Sequence, residues 1–227
     1  MERRQFLLAG TSGTLALLTI LPACGGQSSV IESGSRGAEA GAAGGEGSGG
    51  SPQSGSAGAG GAPAPTCGKT TAPNIEGPFF KVDSPERTNI READTTGTLL
   101  KISGTVYGSD CAPLAGALLD FWQANETGAY DNVTYAYRGH QYTDAEGRYE
   151  LETIVPGRYL NGATYRPAHV HVKAAGQGTM LLTTQLYFEG DPYNAVDPFI
   201  VSSLIMSPLD DGSGLLVATF DFVLPAA

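Results

Sequence analysis

The sequence predicts an all-β sandwich, and two features of residues 67–227 support this prediction. Turn-forming Gly, Pro and Asp residues, as in Pro156-Gly157 and Asp210-Asp211-Gly212, divide this part of the chain into short segments. No segment has the 3.6-residue apolar period of an amphipathic helix. Many short strands with regular turn signals are typical of a sandwich. The strands are predicted at 99–107, 117–123, 147–154, 168–174, 180–188, 199–205 and 215–224.

Residues 1–24 predict an export signal. Arg3 and Arg4 precede an apolar run over 6–21 that is short for a membrane span. The run ends at Cys24 in the sequence Leu-Pro-Ala-Cys, which resembles a bacterial lipobox, in which the cysteine is lipidated. The arginine pair also resembles a twin-arginine export signal, and a plain secretory signal is the alternative. We therefore expect an exported cell-envelope lipoprotein, periplasmic or on the outer surface, that is tethered to a membrane by its lipid.

Residues 25–66 are dominated by Gly, Ala and Ser. Such a composition cannot bury enough apolar surface to offset the entropy of ordering, so this segment is predicted to be a disordered linker. The folded domain is accordingly predicted at 67–227. In an exported protein Cys67 and Cys111 form a possible disulfide, because Cys24 is used by the lipid.

The net charge of −10 argues against a nucleic-acid partner, since an acidic chain repels the phosphate backbone. It says little about the fold.

His169 and His171 are the first candidate metal ligands. Side chains alternate between the two faces of a strand, so these imidazoles are expected on one face, with Val170 and Val172 on the other. Two imidazoles with this spacing can share a metal, although polar residues on one face are equally typical of a half-exposed strand. The remaining candidate ligands therefore decide between a metal site and an ordinary half-exposed strand.

Two kinds of further ligand are available. His140, in a segment predicted to be a loop, would complete a three-histidine zinc site. Tyr130 and Tyr159 follow predicted strands, and a phenol binds as phenolate only to a hard, highly charged cation such as ferric iron. Tyr135 and Tyr137 are predicted to lie in a surface loop, from which either could take the place of Tyr130.

Nine motifs follow one another in the order found in intradiol ring-cleavage dioxygenases, and the chain resembles the protocatechuate 3,4-dioxygenase branch of that family, β-chain type. The resemblance spans about Thr71 to Asp191. The motifs are Glu76-Gly77-Pro78-Phe79-Phe80, Gly104-Thr105-Val106, Pro113-Leu114-Ala115-Gly116-Ala117, Trp122-Gln123-Ala124 with Tyr130, Arg138-Gly139, Thr143-Asp144 with Gly147-Arg148-Tyr149, Thr153-Ile154-Val155-Pro156-Gly157-Arg158-Tyr159, Arg166-Pro167-Ala168-His169-Val170-His171 and Thr184-Gln185-Leu186-Tyr187-Phe188.

This resemblance implies an intradiol dioxygenase sandwich holding Fe(3+), which cleaves a catechol-type substrate with O2 to a muconate-type diacid. It implies that Tyr130, Tyr159, His169 and His171 are the iron ligands. Tyr159 would also take a substrate proton. Arg166 would stabilise negative charge on the substrate, and Gln185 would lie beside the histidines.

A non-catalytic surface sandwich of the carboxypeptidase-regulatory or collagen-binding B type is the alternative. The turn motifs around Pro113, Asp144 and Gly157 fit that class equally well. It does not, however, require Tyr130, Arg166, Gln185 or the histidine pair. The dioxygenase is therefore the preferred prediction.

Overall fold

A computed structural model of the chain describes residues 69–227. The predicted signal and linker, with Cys24 and Cys67, lie outside the described residues and stay predictions. Within 69–227 no helix is both long and apolar enough to cross a membrane.

The described residues form twelve strands and two short 3-10 turns, which confirms the all-β prediction. The turns are Pro192–Ala195 and Ser202–Leu204. The strands are β1 (Leu99–Tyr107), β2 (Leu118–Gln123), β3 (Arg138–Tyr142), β4 (Arg148–Ile154), β5 (Leu160–Asn161), β6 (Thr164–Tyr165), β7 (His169–Ala175), β8 (Leu182–Phe188), β9 (Ile205–Met206), β10 (Leu209–Asp210), β11 (Leu216–Thr219) and β12 (Phe222–Val223).

The strands are divided between two large sheets and one small hairpin. One sheet has the order β10-β11-β1-β12, with β4 antiparallel to β1, and the other has the order β3-β2-β7-β8-β9. β5 and β6 form the hairpin. β7 is central in the second sheet, because it is antiparallel to both β2 and β8.

The core joins the two sheets through alternating side chains. Leu100 and Ile102 of β1 belong to the same buried cluster as Val170 and Val172 of β7, and each is at most 1% exposed. Since one face of β7 is occupied by these valines, the other face is left for His169 and His171.

Three local predictions were wrong. The segment predicted as a loop around His140 is strand β3. The strand predicted at 199–205 is instead an irregular segment with the 3-10 turn Ser202–Leu204, and only its last residue belongs to the two-residue β9. The strand predicted at 215–224 is broken into β11 and β12. Asp221 explains the break, because its Oδ1 accepts a hydrogen bond from the backbone N–H of Thr105 at 2.7 Å, in place of a ladder bond. The polar side chains of β3 give no apolar alternation from which a strand could be predicted. Arg138 and Gln141 are nevertheless buried, because each donates a hydrogen bond to a backbone carbonyl.

Cys111 is disulfide-bonded. The other cysteines of the chain lie outside the described residues, so the pairing of Cys67 with Cys111 stays a prediction.

Gly104 gives a test of how the first sheet closes. A Cβ at this position would clash with the backbone carbonyl of Phe220, between β11 and β12. Gly104→Ala is therefore expected to lower the free energy of unfolding by about 1–3 kcal/mol, as overpacking does elsewhere. Ser103→Ala, one residue away in β1, is the matched control and should change it by less than about 0.5 kcal/mol. Equal urea midpoints for the two variants would contradict the close approach.

Candidate active site

The two histidines of β7 point to one side and are buried, at 3% exposed for His169 and 1% for His171. His169 Nδ1 lies 2.6 Å from the carbonyl oxygen of Pro167. Because a carbonyl only accepts, Nδ1 carries the proton and Nε2 keeps its lone pair. The ring of His171 stacks on Trp122, with centroids 4.7 Å apart and planes 6° apart. Both rings are thereby held in fixed orientations.

Tyr130 brings an oxygen donor to this pair. Its Oη lies 3.3 Å from His169 Nε2 and 3.1 Å from His171 Nε2. Two donors that each lie about 2.1 Å from one metal ion, at an angle of roughly 90–110°, are separated by about 3.0–3.4 Å. The Tyr130 oxygen is thus spaced from each imidazole nitrogen as two ligands of a single ion would be.

Tyr159 lies beside the same group. Its ring centroid is 5.6 Å from that of Tyr130 and 5.8 Å from that of His169. Backbone packing sets the two tyrosine-bearing loops against each other, because a Cβ at Gly128 would clash with the carbonyl of Arg158 and one at Gly157 with the backbone N of Gly128. These glycines are required for the tyrosines to come together.

Arg138 and Phe79 belong to the site but were not predicted as site residues. Arg138 donates to the carbonyl of Asp131 at 2.8 Å, which anchors the loop just after Tyr130, and to the carbonyl of Phe79 at 2.6 Å. The Phe79 ring stacks on the ring of Tyr130, with centroids 4.1 Å apart, and meets the ring of Tyr159 edge-on, with centroids 5.7 Å apart. The sequence carries no local signal for this contact, because Arg138 and Phe79 are 59 residues apart.

The Glu76-Gly77-Pro78 motif predicts a turn against the sandwich, and Trp122 is predicted to be a core residue. Gly77 has φ of +71°, and a Cβ there would lie 3.4 Å from His171 Cε1. The segment around it therefore turns tightly across the histidine. Trp122 is 1% exposed and packs on both His171 and Phe80, which confirms it as a core residue that also forms a wall of the site.

Arg166 is buried beside the histidines and is held by a polar network. Its Nε donates to Asp197 Oδ2 at 2.7 Å, and its Nη2 donates to Gln185 Oε1 at 3.0 Å and to the hydroxyl of Tyr187 at 3.1 Å. Nη1 is buried without a hydrogen-bond partner. The guanidinium therefore keeps one donor nitrogen available.

Gln185 lies opposite His171 in the β7–β8 pairing. Its Nε2 donates to the carbonyl of Ile75 at 2.7 Å, and its Oε1 accepts from Arg166. The contacts show that Gln185 orients Arg166 rather than a histidine nitrogen.

Burial sets the electrostatics of the site. Desolvation, with help from the Arg166 charge, lowers the pKa of His169 to about 4. Desolvation also lowers the pKa of His171 well below its usual value, with the neighbouring His169 adding to the effect. Desolvation and the nearby Tyr159 raise the pKa of Tyr130 above its usual value. At neutral pH the histidines are therefore uncharged, as metal ligation requires, and Tyr130 ionises only if a cation displaces its proton.

The donor set fits ferric iron better than zinc. Two neutral imidazoles and two phenols suit a hard, highly charged ion. Within 69–227 no three His, Cys, Asp or Glu side chains cluster as a metal site. His140 is therefore not clustered with His169 and His171 and does not complete a three-histidine site; its Nδ1 lies 2.6 Å from the carbonyl of Ser84.

Tyr135 and Tyr137 bond elsewhere and do not replace Tyr130. The Tyr135 hydroxyl donates to the carbonyl of Val82 at 3.1 Å, and that of Tyr137 donates to Thr95 at 3.1 Å. Tyr137 is only 7% exposed, so its predicted place in a surface loop was wrong.

The family profile described as Dioxygenase matches residues 75–226. The chlorocatechol 1,2-dioxygenase of Pseudomonas putida is 34% identical over 183 residues, which cover 69% of this chain and 68% of that protein. The chlorocatechol 1,2-dioxygenase of Rhodococcus opacus is 30% identical over 188 residues, which cover 69% of this chain and 73% of that protein.

A solved structure of high identity is the dioxygenase domain of a dioxygenase carbohydrate-binding protein fusion from the cellulolytic bacterium Streptomyces sp. SirexAA-E. It is 47% identical with a TM-score of 0.65, and the match covers 70% of this chain and 100% of that chain. The chain therefore belongs to the intradiol ring-cleaving dioxygenase family. The reported relatives carry chlorocatechol names, so the predicted protocatechuate branch stays a prediction, and the non-catalytic sandwich is not favoured.

The Arg166–Asp197 pair gives a test of the buried network. Its side chains are 4% and 1% exposed, whereas those of the surface pair Arg148–Glu146 are 62% and 61% exposed. Asp197→Ala leaves a buried charge unpaired and should reduce the free energy of unfolding by about 3–5 kcal/mol. Glu146→Ala is the control and should cost less than about 1 kcal/mol. Similar losses for both variants in urea unfolding would contradict the proposed difference in burial.

Proposed function

We propose that the chain is a non-haem ferric dioxygenase that cleaves a catechol-type aromatic, with O2, between its two hydroxyl-bearing carbons to give a muconate-type diacid. The observation that carries this proposal is the convergence of Tyr130 Oη on His169 Nε2 and His171 Nε2. The chlorocatechol activity in the names of two relatives supports the substrate class.

In this proposal Tyr130, Tyr159, His169 and His171 hold the ion. Ferric iron, when bound, supplies the positive charge that keeps phenol ligands ionised and makes a bound catecholate reactive towards oxygen. The buried histidines contribute uncharged nitrogens, and the stacked rings of Trp122 and Phe79 limit the access of water.

Tyr159 and Arg166 act on the substrate. As the catechol binds, the Tyr159 oxygen accepts a proton from one of its hydroxyls, because a phenolate is basic enough to do so. The free Nη1 of Arg166 donates a hydrogen bond to negative charge that develops on a substrate oxygen. Gln185 and Asp197 hold the guanidinium in place, so little reorganisation is needed during the reaction.

Tyr130 and Tyr135 provide a matched pair for testing the ligand set. In the full chain loaded with ferric iron we expect a visible tyrosinate-to-iron absorption band that shifts when a catechol is added under air and returns as the catechol is consumed. Tyr130→Phe should weaken iron binding by more than about a hundredfold, beyond the range of outer-shell changes, and reduce the band. Tyr135→Phe should leave both unchanged. A colourless, inert wild-type chain would contradict the ferric site, and loss of iron only in Tyr135→Phe would contradict the choice of ligand.

The chain is further proposed to be an exported lipoprotein anchored through Cys24, which is supported by the lipobox-like sequence at 21–24. In a bacterial host, labelled fatty acid should be incorporated into the full chain and into Cys111→Ser, but not into Cys24→Ser. Equal labelling of Cys24→Ser and the wild type would contradict the anchor.

A further inference from the structure

Asp191 follows β8 and caps the 3-10 turn Pro192–Ala195. Its Oδ2 accepts hydrogen bonds from Arg158 Nε at 2.9 Å and from the backbone N–H of Ala168 at 3.1 Å, while its Oδ1 accepts from the backbone N–H of Tyr193 at 3.0 Å. The side chain is 5% exposed. One buried carboxylate thus joins the Arg158 side chain and the backbone of Ala168 to the turn that it caps.

Two of these contacts fall one residue before a site residue. Arg158 precedes Tyr159, and Ala168 precedes His169. We propose that Asp191 is a positioning residue that fixes Tyr159 and His169 relative to each other, an inference that rests on the proposed ferric site. Asp191 is hydrogen-bonded to neither ring, and it acts through the backbone and the arginine.

The surrounding contacts show why this carboxylate matters to the geometry. The β5–β6 hairpin separates Tyr159 from Arg166, and its base is closed by one backbone hydrogen bond, from Arg166 N to the carbonyl of Tyr159 at 2.9 Å. Arg166 is held by Asp197, six residues after Asp191 in the same loop. The two aspartates therefore fix both ends of the hairpin, Asp191 at Arg158 and Asp197 at Arg166.

The Arg158–Asp191 pair is not an ordinary surface ion pair. The arginine is 46% exposed, and a pair between two exposed groups would contribute little. The carboxylate, however, is buried and also accepts from two backbone N–H groups, which lose a charged acceptor if it is changed. Asparagine has the same shape but only one acceptor oxygen and no charge, so Asp191→Asn cannot keep all three contacts.

The experiment compares Asp191→Asn with Asp210→Asn in the full chain. Asp210 is an exposed residue that accepts backbone hydrogen bonds from Gly212 and Gly214 in the turn before β11, so it controls for loss of a turn carboxylate. Ferric iron affinity and the position of the visible band are measured without substrate, well below each thermal midpoint. Asp191→Asn should bind iron about 10–100-fold more weakly and with a shifted band, and Asp210→Asn should match the wild type.

The Tyr159→Phe variant, which lacks the phenol oxygen, tests whether Asp191 affects the iron site through Tyr159. If Asp191 acts partly through Tyr159, the band shift caused by Asp191→Asn should be smaller in Tyr159→Phe than in the wild type. A general loss of stability would not produce this dependence, because the band reports on ligands within the folded fraction. An equal shift in both backgrounds would overturn the Tyr159 part of the inference.

The remaining outcomes separate this inference from the proposed function. A wild-type chain that binds no ferric iron would overturn both. A normal wild-type band that is unchanged in Asp191→Asn, with unchanged affinity, would overturn the positioning role alone. Should Asp191→Asn not fold, Arg158→Gln provides the second test, since its side chain is half-exposed. This variant is expected to shift the band in the same direction, and an unchanged band would overturn the inference.

Discussion

The alternation of side chains along β7 is the constraint on which the rest of the site depends. Val170 and Val172 enter the core that joins the two sheets, so His169 and His171 must face the other way. Any slip of one residue in the pairing of β7 with β2 and β8 would bury the imidazoles in the core and expose the valines. Hydrophobic burial thus fixes the position of a polar site.

Burying polar groups in this way is costly unless each has a partner. For His169 and Arg166 the structure provides fixed contacts, namely Pro167 at His169 and Asp197 with Gln185 at Arg166. Among the described residues, Nη1 of Arg166 is buried without a partner, as are Nδ1 of His171 and Nε1 of Trp122, and the second nitrogen of His169 faces Tyr130. The scaffold therefore fixes the orientations of the groups while leaving their chemistry available.

The strongest sequence patterns gave the most reliable predictions. The strand bounds of β1 were predicted at both ends, and those of β2, β4 and β7 to within one residue, because apolar residues alternate clearly there. β3 was missed because its buried residues are polar, and their burial depends on partners far along the chain, such as Phe79 for Arg138. The break between β11 and β12 depends on the contact of Asp221 with Thr105, which local patterns do not show.

The sequence by itself determined the fold class, the shared face of His169 and His171, and the set of candidate donors, since these follow from strand periodicity and from ordered motifs. Only the tertiary structure decided that Tyr130, rather than Tyr135 or Tyr137, meets the histidines, and that Gln185 serves Arg166. The positions of Phe79 and Asp191 also came from the structure alone. The physical reason is that periodicity fixes direction within a strand, whereas the meeting of loops depends on close backbone contacts, such as that of Gly128 with Gly157, between segments far apart in the chain.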